Sequence, residues 1–314
     1  MYQPLLPKLM PKMKKDLKTR RDIKKKKVIK LKKMNNNESN NDKQKKALAT
    51  LKELLSKPLI KQRTPEWFKL REDRLTASDL YDAVKSPASL AKRKLKGITY
   101  NSCGVPALKW GTMFEAMAIR NYSYMKKKKV YEFGLIINDE ISNFGASPDG
   151  ITEDGIMIEI KCPFSRKIID GTIPTKYYYQ MQGQLAVCKL DNCDYIECEF
   201  ITFENEEEYL FNCDNNNDNY SHGIIAEKKE NGEFIYHYSS ENQDCFTNIN
   251  EMNSYNGYNF IYWKLKEMNI QRVVFNKDEW DKTIVPKINN YINVYKNEKS
   301  FIENPVNLFI NEDD

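Results

Sequence analysis

Apolar and polar residues alternate along Ile156-Met157-Ile158-Glu159-Ile160-Lys161, which sends the three isoleucines to one face of an extended segment and Met157, Glu159 and Lys161 to the other. Just before it stands Glu153-Asp154-Gly155, and an Asp-Gly pair flanked by apolar residues predicts a tight turn. A hairpin is therefore expected between Ser147 and Pro163, with Asp149 on its first strand beside Glu159 on its second.

Helical periodicity appears on both sides of this hairpin. A short helix is predicted over Ala47 to Leu59. Thr64-Pro65 then reads as a cap followed by proline at the first helical position, and it opens a helix carrying Trp67 and Arg71 on one face. Arg74-Leu75-Thr76-Ala77-Ser78 is expected to begin a second helix, and Lys92 to Lys96 to form a basic loop. From about Ala107 to Met125, Trp110, Met113, Phe114 and Met117 make an apolar stripe with Glu115 on its flank. Further on, a helix is predicted from Pro174 to Leu190 and a strand from Asp194 to Phe203. Residues 204 to about 245 are acidic and asparagine-rich and suggest a surface insertion with one hairpin near Tyr236. Tyr258 to Met268 is expected to be helical and Gln271 to Phe275 extended. The last helix, Asp278 to Lys296, places Trp280, Ile284, Ile288, Tyr291, Ile292 and Tyr295 on a core-facing side.

Composition bounds the class. With 314 residues, 40% of them hydrophobic and 12% aromatic, the chain has material for a sizeable core. No apolar run approaches the ~20 residues of a membrane helix, and the first residues lack the apolar stretch of a signal peptide, so a soluble intracellular protein without membrane partners is expected. Seven cysteines contain no C-x-x-C pair and only two histidines are present, which speaks against zinc and iron–sulfur sites. The net charge of +6 conceals an asymmetry. Residues 1–46 carry 17 Lys or Arg against four carboxylates, a net +13 that leaves −7 for the remainder. Such a polar lysine- and asparagine-rich stretch is expected to be a disordered basic tail, serving as a DNA tether, a nuclear-import signal or a solubilising segment. A single domain is expected over 47–314, with its core at 62–203, the insertion at about 204–245 and C-terminal helices at 258–298.

The hairpin carries the candidate chemistry. Asp149 and Glu159 are hard oxygen donors of the kind Mg²⁺ and Mn²⁺ prefer, and Lys161 is placed to hold or deprotonate a water beside them. Metal-dependent phosphodiester cleavage uses this set of groups. An E-x-K triplet alone is ordinarily a solvated edge pair, so context has to carry the assignment. Glu115 is either an exposed charge or a third carboxylate aimed at the hairpin. Arg71 with Thr76 or Ser78 near a helix start would suit an anion. Tyr177, Gln180, Gln182 and Gln184 offer neutral donors that suit phosphate or catalytic water.

Taken in order, Arg63-Thr64-Pro65-Glu66-Trp67 with Arg71, Leu75-Thr76-Ala77-Ser78, Trp110-Gly111 with Glu115, Ser147-Pro148-Asp149-Gly150, Glu159-Ile160-Lys161-Cys162-Pro163-Phe164, and Tyr177 with Gln180 and Gln182 resemble the phage lambda exonuclease family, the YqaJ-type viral recombinase nucleases of the PD-(D/E)xK superfamily. That resemblance implies an α/β fold with a restriction-endonuclease-like core, a mixed central sheet flanked by helices. It implies Glu115, Asp149, Glu159 and the Ile160 carbonyl as ligands of two Mg²⁺ or Mn²⁺ ions, with Lys161 positioning the attacking water and Gln180 supporting the site. Arg71, Ser78 and Ser147 would seat a 5′-terminal phosphate, with Trp67 and Tyr177 beside the DNA. An arginine completes that pocket in the family, and here Arg166 is displaced by one position, leaving Arg166 or Lys167 for the role. The implied activity is 5′-to-3′ digestion of one strand from a duplex DNA end, for recombination or replication. A structure-specific endonuclease with the same centre and a non-catalytic DNA-binding protein are the alternatives. A single-strand annealing partner and a ring-shaped homotrimer are known in parts of the family. The host nucleus, a cytoplasmic viral replication site and the virion all suit such a role.

Overall fold

The computed structural model describes residues 41–97, 105–213, 221–239 and 257–303. Residues 1–40 of the predicted tail, Asn215 to Asn217, Cys103 and Cys245 lie outside the described residues. The chain divides after Ala49. Of the first unit, residues 41–49 are described and helical. The second unit opens with helical residues 50–56 (α1).

Within that unit the helices are Pro65–Glu72 (α2), Leu80–Lys85 (α3), Pro87–Leu95 (α4), Pro106–Lys126 (α5), Thr175–Cys188 (α6), Glu206–Cys213 (α7) and Val285–Glu303 (α8), the last entered through a helical turn at Lys277–Glu279 and a π-helical Trp280–Ile284. The strands are Leu75–Thr76 (β1), Val130–Tyr131 (β2), Ile136–Ile137 (β3), Phe144–Ala146 (β4), Gly150–Thr152 (β5), Met157–Lys161 (β6), Asn192–Phe203 (β7), His222–Glu230 (β8), Glu233–Tyr238 (β9) and Asn259–Val274 (β10). A seven-stranded sheet runs β2-β5-β6-β7-β10-β8-β9 and a three-stranded sheet β1-β4-β3. Both are mixed: β6 lies parallel to β7 and β1 to β4, while the remaining pairs are antiparallel. The chain is thus α/β, a mixed sheet flanked by helices, as the sequence predicts.

The alternation in β6 decides which helix meets which face. Ile158 and Ile160 join Ile196, Cys198 and Phe200 of β7 against Met113, Phe114 and Met117 of α5. Glu159 points the other way, toward α6. The predicted turn closes the β5–β6 hairpin, where Gly155 takes φ 80°, a conformation that favours glycine. A second core joins α3, α4 and β4 to Trp280, Ile284, Ile288 and Tyr291, the face expected of the last helix.

Four segments differ from their predicted form. Leu75–Thr76 is not the start of a helix but a strand parallel to β4, and a 3₁₀ turn at Ala77–Asp79 intervenes before α3. Lys92 to Leu95 lie on α4 rather than in a loop, because Leu90 and Ala91 are buried and fasten that helix to the core. The described part of residues 204–245 contains the expected hairpin near Tyr236, β8–β9, but it is no mere surface insertion: β8 pairs with β10, with Ile224, Ile225 and Ala226 all buried. Of Tyr258 to Met268, expected to be helical, Asn259 onward lies in β10, which pairs with β7 on one side and β8 on the other. In that strand Ile261, Trp263 and Leu265 face the α5 core while Phe260 and Tyr262 face the smaller cluster around Tyr209. Apolar residues on both faces hide the period of two that identifies a strand.

Candidate active site

Glu159 is wholly buried, and its charge is met by donors on every side. Oε1 accepts from the Lys161 ammonium and, at 2.7 Å, from Gln180 Nε2, and Oε2 accepts at 2.7 Å from Gln184 Nε2. Gln180 and Gln184 stand four residues apart on α6, so one helix face delivers both amides. Two residues round, Gln182 faces the opposite way, where its Nε2 donates to the Val274 carbonyl and its Oε1 accepts from the Asn276 N–H. Gln182 is thus a structural tie between α6 and the end of β10. The sequence offers Gln184 only as one of several neutral donors for phosphate or water, and its i,i+4 spacing from Gln180 is the signal that reveals the contact to Glu159.

Asp149 stands at the mouth of the hairpin, where Oδ2 accepts from the Ile160 N–H at 2.6 Å. Desolvation, then the charges of Glu159 and Glu115, push its carboxyl well above the ordinary carboxylate range, against the pull of Lys161 and the Ile160 N–H. Desolvation draws the Lys161 ammonium down, yet Glu159 and Asp149 outweigh it and the net shift is upward. The Lys161 Nζ also lies 5.1 Å from the Tyr177 ring centroid. Glu115 is near enough to act on Asp149 but is itself held by Arg63, whose Nη2 donates to Oε2 at 2.5 Å.

A second cluster adjoins the first. Thr64 caps α2 by accepting from the Trp67 N–H, and the indole Nε1 donates to Ser147 Oγ at 3.0 Å. Arg71 stacks its guanidinium 4.0 Å above the Trp67 ring and donates to Ser78 Oγ at 3.4 Å. Arg71, Ser78 and Ser147 are thereby gathered around one tryptophan, two residues along the chain from Asp149. Arg166 is engaged elsewhere, with its guanidinium on the wholly buried Glu197, which pairs in register with Lys161. Arg63 was read only as part of a motif. Gln62 Nε2 donates to the carbonyls of Phe133 and Pro148, which ties the chain ahead of α2 to the loop that carries Asp149.

These residues suit a hard divalent cation in kind, since Asp149, Glu159 and Glu115 are oxygen donors and the charges of the latter two act on Asp149. Among the described residues, no three His, Cys, Asp or Glu side chains converge on one point. Lys161 and Arg63 instead act as counter-charges to Glu159 and Glu115.

Residues 66–191 match the model of the YqaJ-like viral recombinase domain, so the resemblance carried by the motifs holds over that stretch. An uncharacterized protein of Acanthamoeba polyphaga mimivirus is 26% identical over 286 residues, covering 72% of this chain and 51% of its own length, so the chain spans about half of that curated relative. Two solved structures are similar: an alkaline exonuclease from Laribacter hongkongensis, with a TM-score of 0.48 at 21% identity over 76% of this chain and 96% of that one, and a phage related exonuclease from Haemophilus somnus 129PT, with 0.43 at 12% identity over 73% and 96%. Among the described residues no helix is long and apolar enough to cross a membrane.

Proposed function

We propose that this chain, with its YqaJ-like viral recombinase domain, is a metal-dependent 5′-to-3′ exonuclease that removes nucleotides from one strand at the end of duplex DNA. The carrying observation is the adjacency of two groups: the Asp149, Glu159 and Lys161 constellation, and the Arg71, Ser78 and Ser147 donors arranged around Trp67. Mg²⁺ or Mn²⁺ bound by Asp149, Glu159 and the Ile160 carbonyl, with Glu115 as a further carboxylate, would supply Lewis-acid stabilisation of charge on the phosphoryl oxygens.

The protein's own groups do the rest. Lys161, whose ammonium pairs with Glu159, is placed to position the attacking water. Gln180 and Gln184 fix the Glu159 carboxylate from behind. Arg71 and the two serine hydroxyls seat the terminal phosphate through charge-assisted hydrogen bonds. Because Ser147 is two residues from Asp149, gripping that phosphate also sets the register of the next phosphodiester, so that nucleotides leave one at a time. The tailed duplex that remains is a substrate for strand annealing in recombination or replication.

The test is digestion of end-labelled linear duplexes, with and without a 5′ phosphate, beside a covalently closed circle. Phosphorylated linear DNA should be digested fastest, the circle should survive, and Arg71→Ala should abolish the preference between the two ends. Cleavage of the circle would point to an endonuclease, and an Arg71→Ala enzyme that keeps the wild-type preference would remove the local support for 5′ polarity.

A further inference from the structure

A cleft of about 840 Å³ opens at the site. Glu115 and Asp149 are among its lining residues, whereas Arg71, Ser78 and Ser147 are not. Its floor follows one face of α5 from Thr112 to Tyr124, twelve steps along the helix and so roughly 18 Å. One wall is the segment from Leu59 to Arg63 and the other includes Lys129 at the start of the edge strand β2.

The cleft is lined by the carboxylates of Glu115, Glu132 and Asp149 and by four cations, Lys61, Arg63, Arg120 and Lys129, of which Arg63 is paired with Glu115. Lys61 and Lys129 are exposed, and no carboxylate of a described residue pairs with either; Lys129 instead lies 4.7 Å from the Tyr131 ring. Two ammonium groups without local counter-ions, on the walls of an elongated groove, fit a regularly spaced row of phosphates. Arg63 stands at the junction, with a backbone at φ 66°, a left-handed conformation that is uncommon for a side chain of its size. Gln62 anchors that backbone through the Phe133 and Pro148 carbonyls, so the guanidinium is held at the mouth of the cleft beside Glu115.

We infer that this cleft binds the continuing part of the strand under digestion, on the 3′ side of the scissile phosphodiester, with Lys61 and Lys129 on its phosphates and Arg63 at its entrance. The inference rests on the proposed exonuclease activity and adds the path of the substrate. If the terminal phosphate lies at Arg71 and the scissile bond at Asp149, the strand continues past Asp149, which lines the cleft whereas Arg71, Ser78 and Ser147 do not. At the ~3.4 Å spacing of one strand in duplex DNA, 18 Å holds about five nucleotides.

Binding of 5′-phosphorylated oligothymidylates of one, three, five and eight nucleotides to the full chain tests this, with EDTA present so that no hydrolysis intervenes. Affinity should rise with length to about five nucleotides and then rise more slowly. The double variant Lys61→Gln/Lys129→Gln, whose side chains are exposed and unpaired, should lower the salt slope for the five-mer by about 1.4, at ~0.7 per single-strand phosphate contact. The same variant should leave mononucleotide binding within twofold of wild type. The lysine-rich tail contributes equally to both proteins, so the comparison between them isolates the cleft. An unchanged slope, or equal losses for mononucleotide and five-mer, overturns the inference. Thymidine, which lacks the phosphate, is the control: if it binds as well as the phosphorylated mononucleotide, that counts against the terminal-phosphate seat instead, and the slope difference still reports on the cleft.

Discussion

Replacing Lys161 by methionine keeps most of the aliphatic stem and deletes the ammonium that Glu159 and Asp149 share. Glu159 is wholly buried and the Lys161 side chain is 23% exposed, so this ion pair belongs nearer to the interior than to the surface. Breaking a buried pair by removing one partner costs about 3–5 kcal/mol. The lower end of that range applies here, because Gln180 and Gln184 still donate to Glu159 and Lys161 is not fully desolvated. A loss of about 3 kcal/mol lowers the melting temperature by roughly 6–12 °C for a domain of this size. The assay is thermal unfolding of wild type and Lys161→Met in EDTA, then with increasing Mg²⁺ or Mn²⁺. In EDTA the variant should melt lower by that amount. The divalent ion should raise the midpoint of the variant more than that of the wild type, since it binds carboxylates that no ammonium then neutralises. Nuclease activity should fall by roughly 10²–10⁴-fold in the same variant. Equal melting in EDTA, or the same response to the ion in both proteins, would refute the view that Lys161 is the counter-charge of a cation site.

Gly183→Ala should cost about 1 kcal/mol in urea unfolding, although alanine is ~1 kcal/mol the better helix former. The added Cβ would lie 3.0 Å from both Leu80 Cδ2 and Phe144 Cζ, two buried side chains, and α6 would have to move outward with Gln180 and Gln184. Burial pushes the Cys188 thiol from an ordinary 9.0 up to about 12. The folded state therefore holds a proton that the unfolded chain releases first, so this contribution is fully present below pH ~9 and is lost as pH rises toward 12. Stability curves of wild type and Cys188→Ala should accordingly converge across that window, and Cys188 should resist a thiol reagent at pH 8 until the chain unfolds.

The β5–β6 hairpin could be read directly from the chain because its signals are local. Alternation over 156–161, the Asp-Gly turn and the period of the α5 stripe all act within a few residues, and the backbone obeys them. The cap at Thr64 and the Trp67–Arg71 face are legible for the same reason. By contrast, β10 carries apolar residues on both faces because it lies between β7 and β8, and no local period announces such a strand. The acidic segment around β8 was equally opaque, since its burial depends on a partner more than thirty residues further on. The site divides along the same line. Sequence supplied the carboxylates, the lysine and the hydroxyls, whereas the Gln184 contact to Glu159, the Arg63 contact to Glu115 and the diversion of Arg166 to Glu197 each join residues at least 25 positions apart. Which buried charge is met by which donor is settled only when distant elements pack, because the cost of leaving one unmet arises only once water has been excluded.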